Sequence, residues 1–166
     1  MNPRGFILVE ASITYLILSL ALVALVPLFI LSVRANTATL HVKVATQLSV
    51  ELLEEIRLRK WDEKTPASRL AISTGSVIGM DSGASATDKR TFDDLDDFNG
   101  WSENPPLDPV MRPLTDFAGY SRSVTVSYVD AALQPVTGPT DYKQLSVCTT
   151  FPKLTPVCLN TLFTNR

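Results

Sequence analysis

The sequence offers few of the groups on which catalysis or nucleic-acid binding depends. Histidine occurs once, at position 41, so a catalytic set that needs a histidine beside a second base has little to draw on. No Gly-rich phosphate loop is present. Basic residues do not outnumber acidic ones, 15 against 17 for a net charge of −2, and no basic face stands out. These absences favour a binding or assembly role over an enzyme, and they predict no cofactor and no nucleic-acid partner.

Charge is also missing from a long segment near the N-terminus. The 28 residues from Phe6 to Val33 carry one charged side chain, Glu10. As a helix they extend about 42 Å, and about 20 residues already cross the hydrocarbon core of a bilayer. A secretory signal peptide has an apolar stretch of about 7–15 residues and a small-residue cleavage site, which this segment lacks. We therefore predict a membrane-spanning helix over 6–33, although hydropathy alone leaves an uncleaved single-pass anchor open.

Residues 1–5 precede this segment as a short leader with a positive charge on Arg4. Positive charge favours a cytoplasmic N-terminus, so we expect residues 34–166 to lie outside the inner membrane. At this length they correspond to one domain.

The helix is predicted to continue beyond the membrane into that domain. Apolar residues recur every four positions, which is the spacing of one buried helix face. Glutamates precede arginines and a lysine near its end, an order that suits the helix dipole. We expect the helix to end near Lys60, before Pro66. The apolar positions are Leu40, Val44, Leu48, Leu52 and Ile56, with Ala45 and Leu53 beside them.

The remaining sequence predicts an irregular region followed by an antiparallel sheet. In the loop region 66–115, residues 73–91 are rich in Ser, Gly, Ala and Thr and residues 104–113 carry four prolines, with one short strand expected around Val77–Met80. Strands are predicted at Ser123–Val129, Lys143–Thr150 and Val157–Thr164, separated by turn-forming residues, within the range 120–166. The fold class is therefore α+β, a long helix packed on a small antiparallel sheet.

A short motif at the start of the apolar segment carries the functional prediction. Gly5-Phe6-Ile7-Leu8-Val9-Glu10 resembles the processing site of type IV pilins and pseudopilins, which usually have Thr at the position of Ile7 and Ile at that of Val9. The resemblance covers roughly the first 60 residues and extends to Pro27, where these pilins often carry a helix-weakening proline. It implies that a prepilin peptidase cuts after Gly5 and methylates the new amine on Phe6, and that Glu10 directs assembly.

Glu10 has a physical reason to direct assembly. A carboxylate costs about 2.5–3.5 kcal/mol at the middle of a bilayer and less near its surface. Five residues after the cut it lies roughly 7 Å into the helix, so a single subunit can tolerate it. Inside a filament that excludes both lipid and water it needs a partner. The amine of Phe6 on a neighbouring subunit is the expected partner.

Three further segments, Leu53–Arg57, Lys60–Glu63 and the acidic Phe92–Trp101, resemble those of minor pilins of the PilV or mannose-sensitive haemagglutinin group, and this resemblance implies a minor pilin. Its implied partners are the prepilin peptidase, other pilins and the inner-membrane assembly platform. The protein is expected first in the bacterial inner membrane, with its head in the periplasm, and then in a fibre. A type II secretion pseudopilin shares all these features. An unprocessed single-pass anchored binding protein is the remaining alternative.

The two cysteines are predicted to form a disulfide. Cys148 and Cys158 are equidistant from a turn centred near Lys153, so two paired strands can bring them together. The periplasm is oxidising, and many pilins have a C-terminal disulfide.

An acidic segment offers one candidate metal site. Four carboxylates within five residues repel one another, and Ca²⁺ would relieve the repulsion, as a calcium-dependent adhesin would require. The spacing does not fit an EF-hand, and a solvated turn anchored by Phe92, Phe98 and Trp101 is the favoured interpretation. The aspartates are Asp93, Asp94, Asp96 and Asp97.

Overall fold

One long helix and a four-stranded antiparallel sheet make up the regular structure. The computed structural model describes residues 3–62, 77–152 and 155–165, with side chains from residue 8 onward. Helix α1 spans Pro3–Arg57. The strands are β1 (Ser102–Glu103), β2 (Ser121–Tyr128), β3 (Tyr142–Thr150) and β4 (Val157–Thr164), in the sheet order β1-β2-β3-β4. The predicted α+β class is confirmed.

The chain divides into two compact units, Met1–His41 and Val42–Arg166. In the first unit the apolar side chains of α1 are exposed along its length. In the second unit the part of α1 from Val42 to Arg57 contributes one face to a core that it shares with the sheet. The buried core residues are Leu52, Leu53, Ile56, Phe92, Leu95, Phe98, Trp101, Val124, Val126, Leu145 and Val147.

The predicted helical stripe is confirmed from Val44 onward and wrong at its first position. Ala45, Leu48, Leu52, Leu53 and Ile56 are buried and Val44 is half-buried. Leu40 belongs to the first unit and is 60% exposed. Four-residue spacing therefore marks a single helix face, but it does not show where the core beneath that face begins.

Helix α1 ends at Arg57, three residues before the predicted end at Lys60. The backbone of Lys60 pairs with the acidic segment instead: its N–H donates to the carbonyl of Asp93, and its carbonyl accepts from the N–H of Leu95. Pro66, the expected stop signal, lies outside the described residues.

The long connection before β2 is irregular, as predicted, with three short 3₁₀ turns at Lys89–Thr91, Asp96–Phe98 and Thr115–Phe117. The strand expected at Val77–Met80 is wrong, because the chain bends there and Gly79 adopts a positive φ of 141°. The first eleven positions of the predicted 66–115 loop fall outside the described residues.

Strand alternation sets the two faces of the sheet. Every second residue of β2 and β3, including Val124, Val126, Leu145 and Val147, is buried against the helix and loop residues of the core. The residues between them lie on the opposite face. The inward rows also contain two basic residues, Arg122 and Lys143, and both are buried.

Candidate functional site

Helix α1 exposes a large apolar surface, and its contact with water is unfavourable. Its large apolar side chains between Leu8 and Val33 are 46–73% exposed. The helix is long and apolar enough to cross a membrane, and burial in lipid or against other helices would remove this surface from water.

Small polar side chains within this stretch bond to the helix itself. The hydroxyls of Ser12, Thr14 and Ser19 donate to the carbonyls of Leu8, Glu10 and Leu16 at 2.8–2.9 Å. Such back-bonding makes a hydroxyl compatible with an apolar environment.

Glu10 has no comparable arrangement. Its side chain is exposed, and it makes no hydrogen bond or ion pair with another described residue. It is also the one charged side chain in the described apolar stretch from Leu8 to Val33. Once lipid or protein surrounds the helix, a charged carboxylate in this position is unfavourable unless a partner from outside the described chain pairs with it.

The peptide bond between Gly5 and Phe6 lies in the first turns of α1. Only the backbone is described at these two residues, and Met1 and Asn2 of the predicted leader lie outside the described range. Pro27 lies inside the helix, which continues through it despite the missing N–H donor. The structure thus places the predicted processing and assembly residues on one continuous element.

The predicted disulfide between Cys148 and Cys158 is present. The two residues are direct partners in the register of β3 and β4. They follow the outward alternation of their strands, so the bridge lies on the sheet face opposite the core. Lys153, the expected centre of the turn, lies outside the described residues.

Reduction of this disulfide should lower stability without dismantling the fold. In the loop-entropy account, opening a loop of this size costs roughly 2–3 kcal/mol, and the core on the other sheet face keeps its contacts. Urea denaturation of the detergent-extracted chain with and without reductant measures the effect. A Cys148→Ser, Cys158→Ser double variant serves as the control, because reductant should leave it unchanged. Equal midpoints for the oxidised and reduced protein would contradict this expectation.

The acidic segment is not a solvated turn. Phe92, Phe98 and Trp101 are buried, as predicted, but Asp94, Asp96 and Asp97 are buried too, at 1–4% exposure. Asp94 accepts hydrogen bonds from the N–H groups of Asp96 and Asp97, the first two residues of the 3₁₀ turn. The predicted solvated turn is wrong: Asp94 and Asp97 accept backbone N–H groups, and Asp96 Oδ1 lies 2.7 Å from the buried ammonium of Lys143.

The four aspartates do not converge on one point. Asp93 and Asp97 come together with Asp81, their oxygen atoms within 4.8 Å of one another. The two oxygens of Asp97 already accept the N–H groups of Asp81 and Asp93. Asp81 was missed because it lies in a Ser- and Gly-rich loop, well before the acidic run. The arrangement of these three carboxylates is that of an ordinary hydrogen-bonded acidic loop, and by itself it does not indicate a metal site.

A first buried charge cluster joins α1 to the sheet. We call it the Lys89 cluster; it contains Lys89, Glu55, Glu103 and Arg122. Lys89 Nζ lies 2.8 Å from Glu55 Oε2 and 2.9 Å from Glu103 Oε1. Arg122 holds Glu103 Oε2 through two nitrogens, Nε at 2.7 Å and Nη2, and its Nη1 donates to the carbonyl of Leu48 at 3.0 Å. Both cations are fully buried.

A second buried group, the Lys143 cluster, contains Lys143, Asp62 and Asp96. Lys143 Nζ lies 2.7 Å from Asp96 Oδ1 and 3.3 Å from Asp62 Oδ2. The ammonium also donates to the carbonyl of Trp61 at 2.8 Å and lies 4.0 Å from the centre of its ring. Sequence reasoning missed both clusters, although Arg122 and Lys143 stand two residues before Val124 and Leu145, in the inward phase of their strands.

Glu103 is the most constrained carboxylate of the Lys89 cluster. Burial by itself raises its pKa, but the charges of Arg122 and Lys89, together with the N–H groups of Leu107 and Trp101, outweigh burial. The net result is a pKa below the ordinary value of 4.5.

This lowered pKa predicts loss of stability in acid. A carboxylate whose pKa is lower in the folded than in the unfolded state contributes stability above the unfolded value, and the contribution disappears as the pH falls through the folded value. We therefore expect the free energy of unfolding to be steady above about pH 5 and to decrease below the ordinary glutamate range near 4.5. Urea midpoints measured from pH 7 down to pH 3 test this, and a midpoint that rises on acidification would contradict it.

Comparison with family models, with curated proteins and with solved structures finds no match to this chain.

Proposed function

We propose that this chain is a minor-pilin-like subunit, cut after Gly5 by a prepilin peptidase and built into, or priming, a type IV pilus fibre. The main observation that supports this proposal is the position of Glu10, an exposed carboxylate near the start of an otherwise uncharged apolar stretch. It follows the Gly5-Phe6 bond by five residues. No other residue in the apolar stretch has this combination of charge, exposure and position.

The physical logic of the proposal is a pairing between subunits. Cleavage after Gly5 creates an amine on Phe6 close to the depth of Glu10 in the membrane. In an assembled fibre, where packed helices exclude lipid and water, an unpaired carboxylate costs several kcal/mol. The amine of an adjoining subunit removes this cost in one register of packing and not in others.

The helical state of the scissile bond adds a requirement to processing. A peptidase binds its substrate as extended backbone, so the first turns of α1 must unwind around Gly5 before cleavage. Glycine makes this easier, because it is about 1 kcal/mol less favourable in a helix interior than alanine. Unwinding is confined to the helix end, where few intrahelical bonds must be given up.

The apolar surface supports storage in the membrane before assembly. Side chains exposed between Leu8 and Val33 have the composition of a single span, which lipid would cover in the free subunit. The same side chains can then pack against the helices of related subunits. The disulfide supports placing residues 148–158 on an oxidising side of that membrane, such as the periplasm. The second unit would then determine where in the fibre the subunit lies and what it contacts.

The N-terminus of the membrane-extracted protein tests the proposal most directly. We expect mass spectrometry to find N-methyl-Phe6 as the first residue in a host that has a prepilin peptidase. The same host without the peptidase provides the control and should yield the chain with its leader still attached. A functional protein that retains Met1 in the peptidase-containing host would contradict the proposal and favour a plain single-pass anchor.

A second measurement separates the pilus from the secretion alternative. We expect the protein in fibres sheared from the cell surface, in small amounts relative to a major subunit. If it is processed at Gly5, absent from such fibres and required for type II secretion, then it is a pseudopilin.

A further inference from the structure

The Lys143 cluster brings an amine and two carboxylates into direct contact in a buried space. The side chains of Lys143, Asp62 and Asp96 are 0%, 2% and 5% exposed. Both carboxylates contact the same nitrogen atom, Asp96 at 2.7 Å and Asp62 at 3.3 Å. The ring centres of Trp61 and Tyr128 lie 4.0 and 5.4 Å from Lys143 Nζ. The three groups are therefore fixed at contact distance with little access to water.

This geometry contains each component that amide formation needs. One carboxylate can be attacked by the nitrogen, and the other lies within hydrogen-bond reach to carry protons. We infer that Lys143 and Asp96 form an intramolecular amide crosslink between Lys143 Nζ and Asp96 Cγ, with Asp62 as the proton carrier. The crosslink goes beyond the proposed function and does not depend on it.

The reaction balances without any further reagent. Asp62 carries a proton from the ammonium of Lys143 to Asp96, and the neutral nitrogen then attacks Cγ of the neutral Asp96 carboxyl group. The tetrahedral centre then loses one oxygen of Asp96. That oxygen leaves as water, with the proton it received through Asp62 and a second proton taken from the nitrogen. The product is a neutral amide that keeps one N–H, one molecule of water and an Asp62 carboxylate restored to its starting state.

Two physical effects favour the crosslink in this position. Well-oriented intramolecular reactions reach effective molarities of about 10⁵–10⁸ M, because the reacting atoms are already held together. In addition, the reaction replaces a buried ammonium and a buried carboxylate by a neutral amide. Because the desolvation of two buried ions can exceed their mutual attraction, their removal stabilises the folded product.

The Lys89 cluster provides an internal comparison. Lys89 also contacts two carboxylates, but Glu103 accepts from Arg122, from the indole Nε1–H of Trp101 at 3.0 Å and from the N–H of Leu107 at 3.0 Å. These donors stabilise Glu103 as an anion and make its carbonyl carbon a poor target for attack. We therefore expect no crosslink between Lys89 and Glu103.

Peptide mapping of the full chain extracted in detergent tests the inference. The chain is denatured, its disulfide is reduced, and it is digested with trypsin. An unmodified chain then yields 91–122 and 123–143 as separate peptides; 91–122 stays in one piece because trypsin spares the Arg112–Pro113 bond. An amide on Lys143 blocks cleavage there. The crosslinked chain then yields 91–122 joined to 123–153, lighter by one water than the sum of the two, with fragmentation placing the link on Asp96.

Two comparisons make the result decisive. Asp62→Asn keeps the size of the side chain but removes the proton carrier, and should cause at least a tenfold loss of the joined peptide. No peptide that joins Lys89 to Glu103 should appear in any sample. Complete cleavage after Lys143 in the wild-type chain would overturn the crosslink, whatever the variant does. A joined peptide that persists at the wild-type level in Asp62→Asn would overturn the role of Asp62.

Discussion

If the chain assembles as proposed, replacing Glu10 with glutamine should leave the protein processed and stored in the membrane, yet nearly absent from fibres. Glutamine keeps the size and the hydrogen-bonding atoms of the side chain but loses the charge. The Phe6 amine of the adjoining subunit would then enter the packed fibre without its counter-charge, at a cost of roughly 3–5 kcal/mol. Since about 1.4 kcal/mol corresponds to a tenfold change, incorporation should fall by more than about a hundredfold.

Quantitative immunoblots of sheared fibres and of membranes measure the two pools separately. Thr14→Val is a matched control, one turn further along the helix, because the Thr14 hydroxyl bonds only to its own helix backbone. Incorporation of this control should remain near the wild-type level. If Glu10→Gln reaches fibres as efficiently as the wild type, the charge pair is not the assembly signal.

Replacing Glu103 with alanine should produce the largest loss of stability in the second unit. This carboxylate contacts Lys89 and Arg122 and accepts N–H groups from Trp101 and Leu107. Its removal leaves the buried guanidinium of Arg122 without its carboxylate and leaves Lys89 with Glu55 alone, and breaking a buried pair in this way typically costs about 3–5 kcal/mol. A single domain is often stable by only about 5–15 kcal/mol, so the variant should lose a large share of its stability.

Urea denaturation followed by tryptophan fluorescence measures this loss, because Trp61 and Trp101 are the only tryptophans and both lie in the second unit. Glu54→Ala is the matched control, since Glu54 pairs with Arg57 at 2.9 Å but both side chains are about half exposed. An exposed pair contributes about 0–1 kcal/mol, so the control midpoint should hardly move. Similar losses for the two variants would show that burial does not govern the strength of these pairs.

The regular elements of the fold were predictable because they follow local periodicity. Leu48, Leu52 and Ile56 recur at helical spacing, and Val124, Val126 and Tyr128 alternate as a strand with one buried face requires. The cysteines could be paired because the same alternation and their equal distance from a turn fix the register. Each of these inferences needs only residues that are near one another in the sequence.

The buried charges were not predicted because their stability depends on distant partners. Glu103 becomes tolerable inside the protein only when Lys89 and Arg122 reach it from two other segments. The burial of Asp96 likewise depends on Lys143, far along the chain. Judged locally, a run of aspartates indicates solvent exposure, since an isolated buried carboxylate is strongly unfavourable. The sequence did contain one signal of buried charge: Arg122 and Lys143 occupy inward-facing positions of their strands.

The disulfide on the outer face of the sheet has a mechanical consequence. Tension on the C-terminal end of β4 would first separate the six register pairs from Tyr142–Thr164 to Val147–Leu159, one after another. Peeling then reaches Cys158, where the load passes from hydrogen bonds to a covalent bond. A pull on this strand can therefore fray one side of the hairpin, but it cannot strip β4 from β3 while the bridge is intact.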